Sequence, residues 1–168
     1  MQGNKYIEIT TARLLLRTLT ESDAAIVRRI GEGEFETDEA ALEWIRWVNS
    51  KTEPGKPRVM FYIWLTQTGQ CIGRVYFHSK PELDGEVEIG YGITEEYRNQ
   101  GYVTEAATAA VQFAFEQAGQ MVLSAIIMSE NISSRRVIEK LGFSYEGVRM
   151  VWDNGEKCEF DYFKLYNS

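Results

Sequence analysis

Two cysteines, one histidine and three prolines are all that this 168-residue chain holds of those types, and the scarcity of cysteine and histidine excludes several architectures. Cys71 and Cys158 stand apart in apolar, strand-like runs, with no C-x-x-C pair and no histidine beside them. Neither a zinc site nor a dithiol redox motif is available, so no metal is expected and both cysteines read as buried free thiols. A chain of this length buries roughly 68–70% of its unfolded surface, enough for a core that needs no disulfide or structural metal. No apolar run approaches the roughly 18 residues of a membrane span, and "MQGNKYIEIT" lacks a basic-then-apolar leader. The expected compartment is therefore the cytoplasm, with no membrane partner. Positive charge is also short, 18 Lys and Arg against 25 Asp and Glu for a net charge of −7. That disfavours a broad footprint on a nucleic-acid backbone. A cationic acceptor suits such a field better, although acidity also serves solubility alone.

What is present is an ordinary globular composition, 44% hydrophobic and 26% charged, without repeat or linker, so residues 1–168 read as a single domain. "TARLLLRTLT" reads as a strand covered on both faces. "TESDAAIVRRIG" reads as a helix with Thr20 at its N-cap, Asp23 three residues on and Gly31 as its stop. A second helix runs from about Thr37 to Asn49, with Leu42, Ile45 and Val48 at helical spacing. "RVMFYIWLT" and "CIGRVYFH" form strands joined at "QTGQ". "GEVEIGYGI" adds another, placing Val87, Ile89 and Tyr91 on one face and Glu86, Glu88 and Gly90 on the other. From about Val103 to Gln117 the period is helical, with Ala106, Ala110, Phe113 and Ala114 as its buried stripe. A short strand "VLSAIIM", a helix in "ENISSRRVIEKLGF" and two strands turning at Asn154-Gly155 complete an α/β (α+β) domain with a mixed sheet.

The junction "TEEYRNQGYVTEAA" passes from the strand ending near Ile93 into the Ala-rich helix. A helix start leaves backbone N–H groups without intrahelical partners and carries partial positive charge. Arg98 adds a full charge, and Gly101 removes a side chain that would block close approach of an anion. The stretch lacks the glycines of G-x-G-x-x-G and the G-K-[ST] of a P-loop. Taken alone it reads first as an ordinary strand-to-helix turn.

"YRNQGYVTEA" nevertheless resembles the pyrophosphate loop of the GNAT superfamily of acetyl-CoA-dependent acetyltransferases, in which Arg or Gln is followed by two residues, Gly, one residue, and Gly or Ala. The matching positions are Arg98, Gly101 and Val103. "TARLLLRTLTESDA", "EIGYGITEEYRNQGYVTEA" and "NISSRRVIEKLGFSYEG" are similar to the RimJ/RimL branch of ribosomal-protein N-terminal acetyltransferases. The resemblance implies a GNAT fold, a mixed central sheet of about seven strands with helices on both faces. It implies acetyl-CoA as co-substrate, its pyrophosphate cradled by the backbone of Asn99, Gln100, Gly101, Tyr102, Val103 and Thr104 with Arg98 nearby. The pantetheine arm would pair with Tyr91, Gly92 and Ile93, where the strand parts from its neighbour, and lie beside Asn131 and Ser134. Val103 departs from the motif, and its branched side chain is expected to crowd the phosphates.

Acetyl transfer to an amine needs a neutral nucleophile, a polarised carbonyl and a protonated leaving thiolate. Glu88 is the candidate proton acceptor, through a water, and Glu86 is the alternative; for Glu88, a solvated strand carboxylate or an Arg partner is the competing role. His78 has suitable chemistry, but its place at a strand end beside "SKPELDG" reads as an exposed polar residue. The tyrosine that many superfamily members carry seven residues after the asparagine is here Ile138, which leaves Ser134 as candidate acid or as a helix-start hydroxyl. Gly90 and Gly92 would permit a strand irregularity whose N–H stabilises the oxyanion. Trp44, Trp47, Tyr62 and Trp64 read as core in preference to an acceptor lining. Arg135 and Arg136 read as phosphate contacts or surface, and Asp161 as a structural hydrogen-bonding group. The favoured acceptor is a peptide N-terminal α-amine. The alternatives are a polyamine or aminoglycoside-like amine, or a non-catalytic acyl-CoA-binding module, and the candidate assembly is a homodimer.

Overall fold

A computed structural model describes residues 6–31, 34–51 and 59–168. The chain runs β1 (Glu8–Thr10), β2 (Leu14–Arg17), α1 (Ala24–Ile30), α2 (Asp38–Ser50), β3 (Met60–Leu65), β4 (Cys71–Ser79), β5 (Val87–Ile93), α3 (Tyr102–Glu116), β6 (Val122–Ile127), α4 (Ile132–Lys140), β7 (Ser144–Asp153) and β8 (Glu156–Tyr166). The strands form one 8-stranded sheet in the order β1-β2-β3-β4-β5-β6-β8-β7. The strand missing from the sequence reading is β1, a three-residue segment hydrogen-bonded to β2 with too few residues to show a period.

Local chemistry sets the helix starts, although Thr20 caps a 3-10 turn, Glu21–Asp23, that leads into α1, and Asp23 takes the N-cap of α1 itself. The Asp23 carboxylate accepts from the Thr20 N–H at 2.8 Å and from its hydroxyl at 3.0 Å, and Arg17 grips it from β2 at 2.8 and 2.9 Å. Thr37 caps α2 by accepting from the Ala40 N–H at 3.1 Å, with Asp38 and Glu39 against the positive end of the helix. Cross-strand pairing then sorts the side chains between two faces. Leu14, Leu16, Phe61, Ile63, Val75, Phe77 and Ile89 pack against Ala106, Ala107, Ala110 and Phe113 of α3 and Ile138 of α4. On the opposite face Tyr62, Trp64 and Cys71 pack against Val27 of α1 and Ala41 and Ile45 of α2. The alanines let α3 lie close to the sheet, and the Phe61 and Phe113 rings meet edge to face at 5.2 Å. Tyr62 and Trp64 are core, whereas Trp47 is 58% exposed. Cys71 is buried as expected, but Cys158 is only half-buried, because β7 and β8 project at the sheet edge.

Every adjacent pair is antiparallel except β5 and β6, which the α3 crossover makes parallel. Those two strands pair at Glu88 and Ser124 and then part. β5 remains paired with β4 along its whole length, from Ser79 opposite Val87 to Gly73 opposite Ile93, without a register shift. The expected irregularity at Gly90 to Gly92 is therefore absent; what β5 loses there is its β6 neighbour. The glycines answer to close packing instead. A Cβ on Gly90 would lie 2.4 Å from the Tyr76 ring, and one on Gly73 would lie 2.3 Å from the Gly92 carbonyl oxygen.

Candidate active site

The parting of β5 from β6 opens a cleft of about 1000 Å³ that runs from the start of α3 along β5. Its floor is the loop between them. Gly101, at the N-cap of α3, has φ 80°, and Asn99 has φ 59°; both lie in the left-handed region that glycine occupies freely and asparagine tolerates. No side chain caps α3. Among the described residues, the backbone N–H groups from Asn99 to Thr104 donate to no protein acceptor, and intrahelical bonding begins with Glu105 N–H to the Gly101 carbonyl at 3.0 Å. A run of unpaired N–H groups at a left-handed turn is a concave anion receptor reinforced by the helix dipole.

Charge in the cleft opposes that of the chain as a whole. Arg74, Arg98, Arg136 and Lys140 line it, and Glu34 is the acidic residue among them. Arg74, Lys140 and Glu34 carried no signal in the sequence, since their places depend on how β4, α4 and the end of α1 meet. Arg98 is exposed and its Nε donates to the Ile93 carbonyl at 3.4 Å. Arg13, in the β1–β2 turn, braces the loop from below. Its backbone N–H and Nε donate to Glu105 at 2.8 and 2.7 Å, its Nη1 donates to the Gln100 carbonyl at 3.1 Å, and its guanidinium lies 4.3 Å from the Tyr102 ring centroid.

Tyr91, Gly92, Ile93, Arg98, Asn99, Gly101, Tyr102, Val103, Thr104, Asn131 and Ser134 line the cleft together, as do Ser133 and Val137. Gln100 stands apart, its side chain donating to the Glu96 carbonyl at 3.1 Å. Asn131 caps α4, accepting from the Ser134 N–H and the Ser133 hydroxyl, both at 3.2 Å. The role of helix-start hydroxyl thus falls to Ser133, and the half-buried Ser134 hydroxyl has no protein partner among the described residues. Tyr91 donates its hydroxyl to the Ser134 carbonyl at 2.9 Å, and burial raises its phenol far above the usual range. Ile138 is fully buried among core residues and takes no part in the cleft lining.

Glu88 lies at the vertex where β5 and β6 still pair, on the α1–α2 face of the sheet and outside the cleft lining. It is 5% exposed, neither solvated nor bound to an arginine. Its Oε2 lies 2.6 Å from His78 Nε2 and 3.6 Å from Lys80 Nζ. His78, expected to be an exposed polar residue, is half-buried on β4 directly opposite Glu88. Glu86 is engaged elsewhere, with Lys164 Nζ at 2.6 Å and the Tyr162 hydroxyl. Asp161 is buried and accepts from Arg135 Nη1 at 3.1 Å, while Arg135 Nε reaches Glu139 at 3.0 Å. That pairing gives Asp161 a structural part and leaves Arg136 as the member of the arginine pair in the cleft.

These features fit a long ligand with a phosphate-rich end. The anions would meet the amides and cations, and an extended arm would follow the free edge of β5 towards Glu88. A family model described as the acetyltransferase (GNAT) domain matches residues 13–144. YnaD of Bacillus subtilis strain 168, described as an uncharacterized N-acetyltransferase, is 30% identical over 151 residues, 84% of this chain and 85% of its own. The crystal structure of a GNAT-family acetyltransferase from Bacillus anthracis superposes with a TM-score of 0.72 at 26% identity, covering 95% of this chain and 98% of that one. RimL, the ribosomal L7/L12 α-N-protein acetyltransferase solved with coenzyme A, shares the fold at a TM-score of 0.78 and 16% identity over 96% of this chain and 98% of its own. A helix start with unpartnered amides beside a parted parallel strand pair, in a chain that the GNAT family model matches over most of its length, places this protein among the N-acetyltransferases of the GNAT family.

Proposed function

We propose that the protein transfers an acetyl group from acetyl-CoA to a primary amine, with the α-amine of a peptide or protein N-terminus as the favoured acceptor. The observation that carries this reading is the unbroken run of unpartnered amides from Asn99 to Thr104, continuous with the free edge of β5. Acetyl-CoA supplies an activated thioester carbonyl. The amides hold its pyrophosphate with help from Arg98, Arg136 and Lys140, and the free backbone groups of Tyr91 to Ile93 hold the arm. The Val103 side chain borders the same space and limits how closely the phosphates approach. Five residue steps of strand run from Ile93 to Glu88, about 17 Å at strand rise, so the acetyl group arrives near the vertex.

There the amine proton leaves along a path on which Glu88 lies, and the Ser134 hydroxyl protonates the departing thiolate. RimL acts on a protein α-amine, and the chemistry here agrees. An α-amine with pKa near 7.7–8.0 is roughly a tenth neutral at pH 7, whereas a lysine at about 10.4 is neutral only a few times in ten thousand. The demand on the proton acceptor is correspondingly modest. Coenzyme A release measured with a peptide bearing a free N-terminal serine, with spermidine and with kanamycin tests the reading. The peptide is expected to be fastest; faster turnover of spermidine or kanamycin shifts the acceptor to small amines, and no release with any of them sinks the proposal.

A further inference from the structure

The proton path has a second member that the sequence alone ranked low. We infer that His78 is the group that takes the proton from the attacking amine, with Glu88 as the positioning residue that holds it. The inference rests on the acetyl-transfer reading above and adds the identity of the base.

The argument begins with exposure. Glu88 is the inner group, its side chain 7% exposed, and His78 is the outer one, 36% exposed. An amine approaching on the α1–α2 face meets the imidazole before it meets the carboxylate. His78 stands opposite Glu88, Tyr76 opposite Gly90 and Arg74 opposite Gly92, so Arg74, Tyr76 and His78 form a row on that face running from the cleft to the vertex. The row is packed. Tyr76 and His78 have ring centroids 5.4 Å apart, and Gly90 leaves room for the Tyr76 ring.

Hydrogen bonding then assigns the ring nitrogens. An ionised carboxylate only accepts, so the 2.6 Å contact requires the hydrogen on Nε2. In the neutral imidazole that leaves the lone pair on Nδ1, which has no partner among the described residues. A buried carboxylate that fixes the tautomer and then faces the imidazolium is the arrangement by which a histidine is made a directed base. Lys80, 3.6 Å from the same oxygen, balances the Glu88 charge while the ring is neutral. The residues facing His78 are thus Tyr76, Lys80 and Glu88.

The step balances as follows. The amine nitrogen bonds to the thioester carbonyl carbon, its proton passes to His78 Nδ1 and the C–S bond breaks. The thiolate takes the Ser134 proton, and Ser134 and the imidazolium re-equilibrate with water. The products are amide and thiol.

A single histidine in the chain makes the test direct. Long-range ¹H–¹⁵N spectra of histidine-labelled full-length protein should show the Nε2–H tautomer in the wild type and a tautomer mixture in Glu88→Ala. An Nδ1–H ring in the wild type overturns the inference. With the fastest of the three amine probes, His78→Ala should lose at least about 100-fold in kcat while keeping the acetyl-CoA-induced melting shift. Added imidazole should restore part of that loss, which a merely structural histidine would not allow. Full turnover by His78→Ala refutes His78 as the base and leaves the acetyl-transfer reading intact. A wild-type protein inert towards every amine removes both.

Discussion

The sharpest consequence of the cleft geometry concerns Gly101 and Gly92, two glycines beside the same ligand path for different reasons. Gly101 holds φ 80°, and a Cβ there would meet only Arg13 Nη2, at 3.4 Å. The cost of Gly101→Ala is therefore conformational, about 1–2 kcal/mol for an L-residue in the left-handed region. In a chain of this size that lowers the unliganded melting temperature by about 2–8 °C. Gly92 has no atom within 4 Å of its Cβ position and no left-handed φ, so Gly92→Val should leave the unliganded melt within about 1 °C of wild type. Coenzyme A at a hundred times its Kd should stabilise the wild type by about 2.7 kcal/mol, or about 5–11 °C. A hundredfold loss of affinity leaves about 0.4 kcal/mol at the same concentration, near the resolution of a melting scan. Differential scanning fluorimetry of the three proteins with and without coenzyme A should show the shift largely lost in both variants, with only Gly101→Ala already destabilised. A Gly101→Ala protein that melts at the wild-type temperature refutes the strain argument. A full ligand shift in Gly101→Ala refutes the amide cradle, and one in Gly92→Val refutes the course of the arm along β5.

Other outcomes follow from single side chains. Ser134→Ala should lower kcat by about 100-fold without weakening acetyl-CoA binding, and raising the pH should not restore it; unchanged kcat removes Ser134 as the acid. Burial alone would raise the Asp23 carboxyl, but the Arg17 guanidinium and the Thr20 N–H and hydroxyl hold it below the usual carboxylate range. A depressed folded pKa gives stability that is present above the unfolded value, about 3.9, and is lost as pH falls through the lower folded value. Asp23→Asn should therefore destabilise the protein near neutrality by about 3 kcal/mol and flatten its acid-side melting profile. An equally steep profile in the variant would assign the acid sensitivity to other carboxylates. Burial pushes the Cys71 thiol up to about 12, so Ellman's reagent should titrate Cys158 in the folded protein and reach Cys71 only in denaturant. Rapid labelling of both thiols in the native state would contradict the packing around Cys71.

Sequence by itself determined what depends on neighbours a few residues away. Thr20 with Asp23, Thr37 with Ala40 and Asn131 with Ser134 are helix-start contacts across three positions, and the left-handed Gly101 before an Ala-rich helix is a local backbone requirement. Those features made the helix starts legible, the resemblance of "YRNQGYVTEA" to a family loop singled out the start of α3, and the alternation of β5 gave the faces of Glu88 and Ile89. Tertiary structure alone decided the rest, because sheet order and strand register bring together residues that no period relates. Arg13 reaches Gln100 across 87 positions because the β1–β2 turn ends beside α3. Arg74 and Lys140 enter the cleft from β4 and α4, giving positive lining to a protein of net charge −7. The antiparallel register of β4 and β5 sets His78 against Glu88, and the strands around it bury the pair. A side-chain count sees a lone histidine at a strand end, whereas the register gives it a carboxylate partner and a face on which to meet an amine.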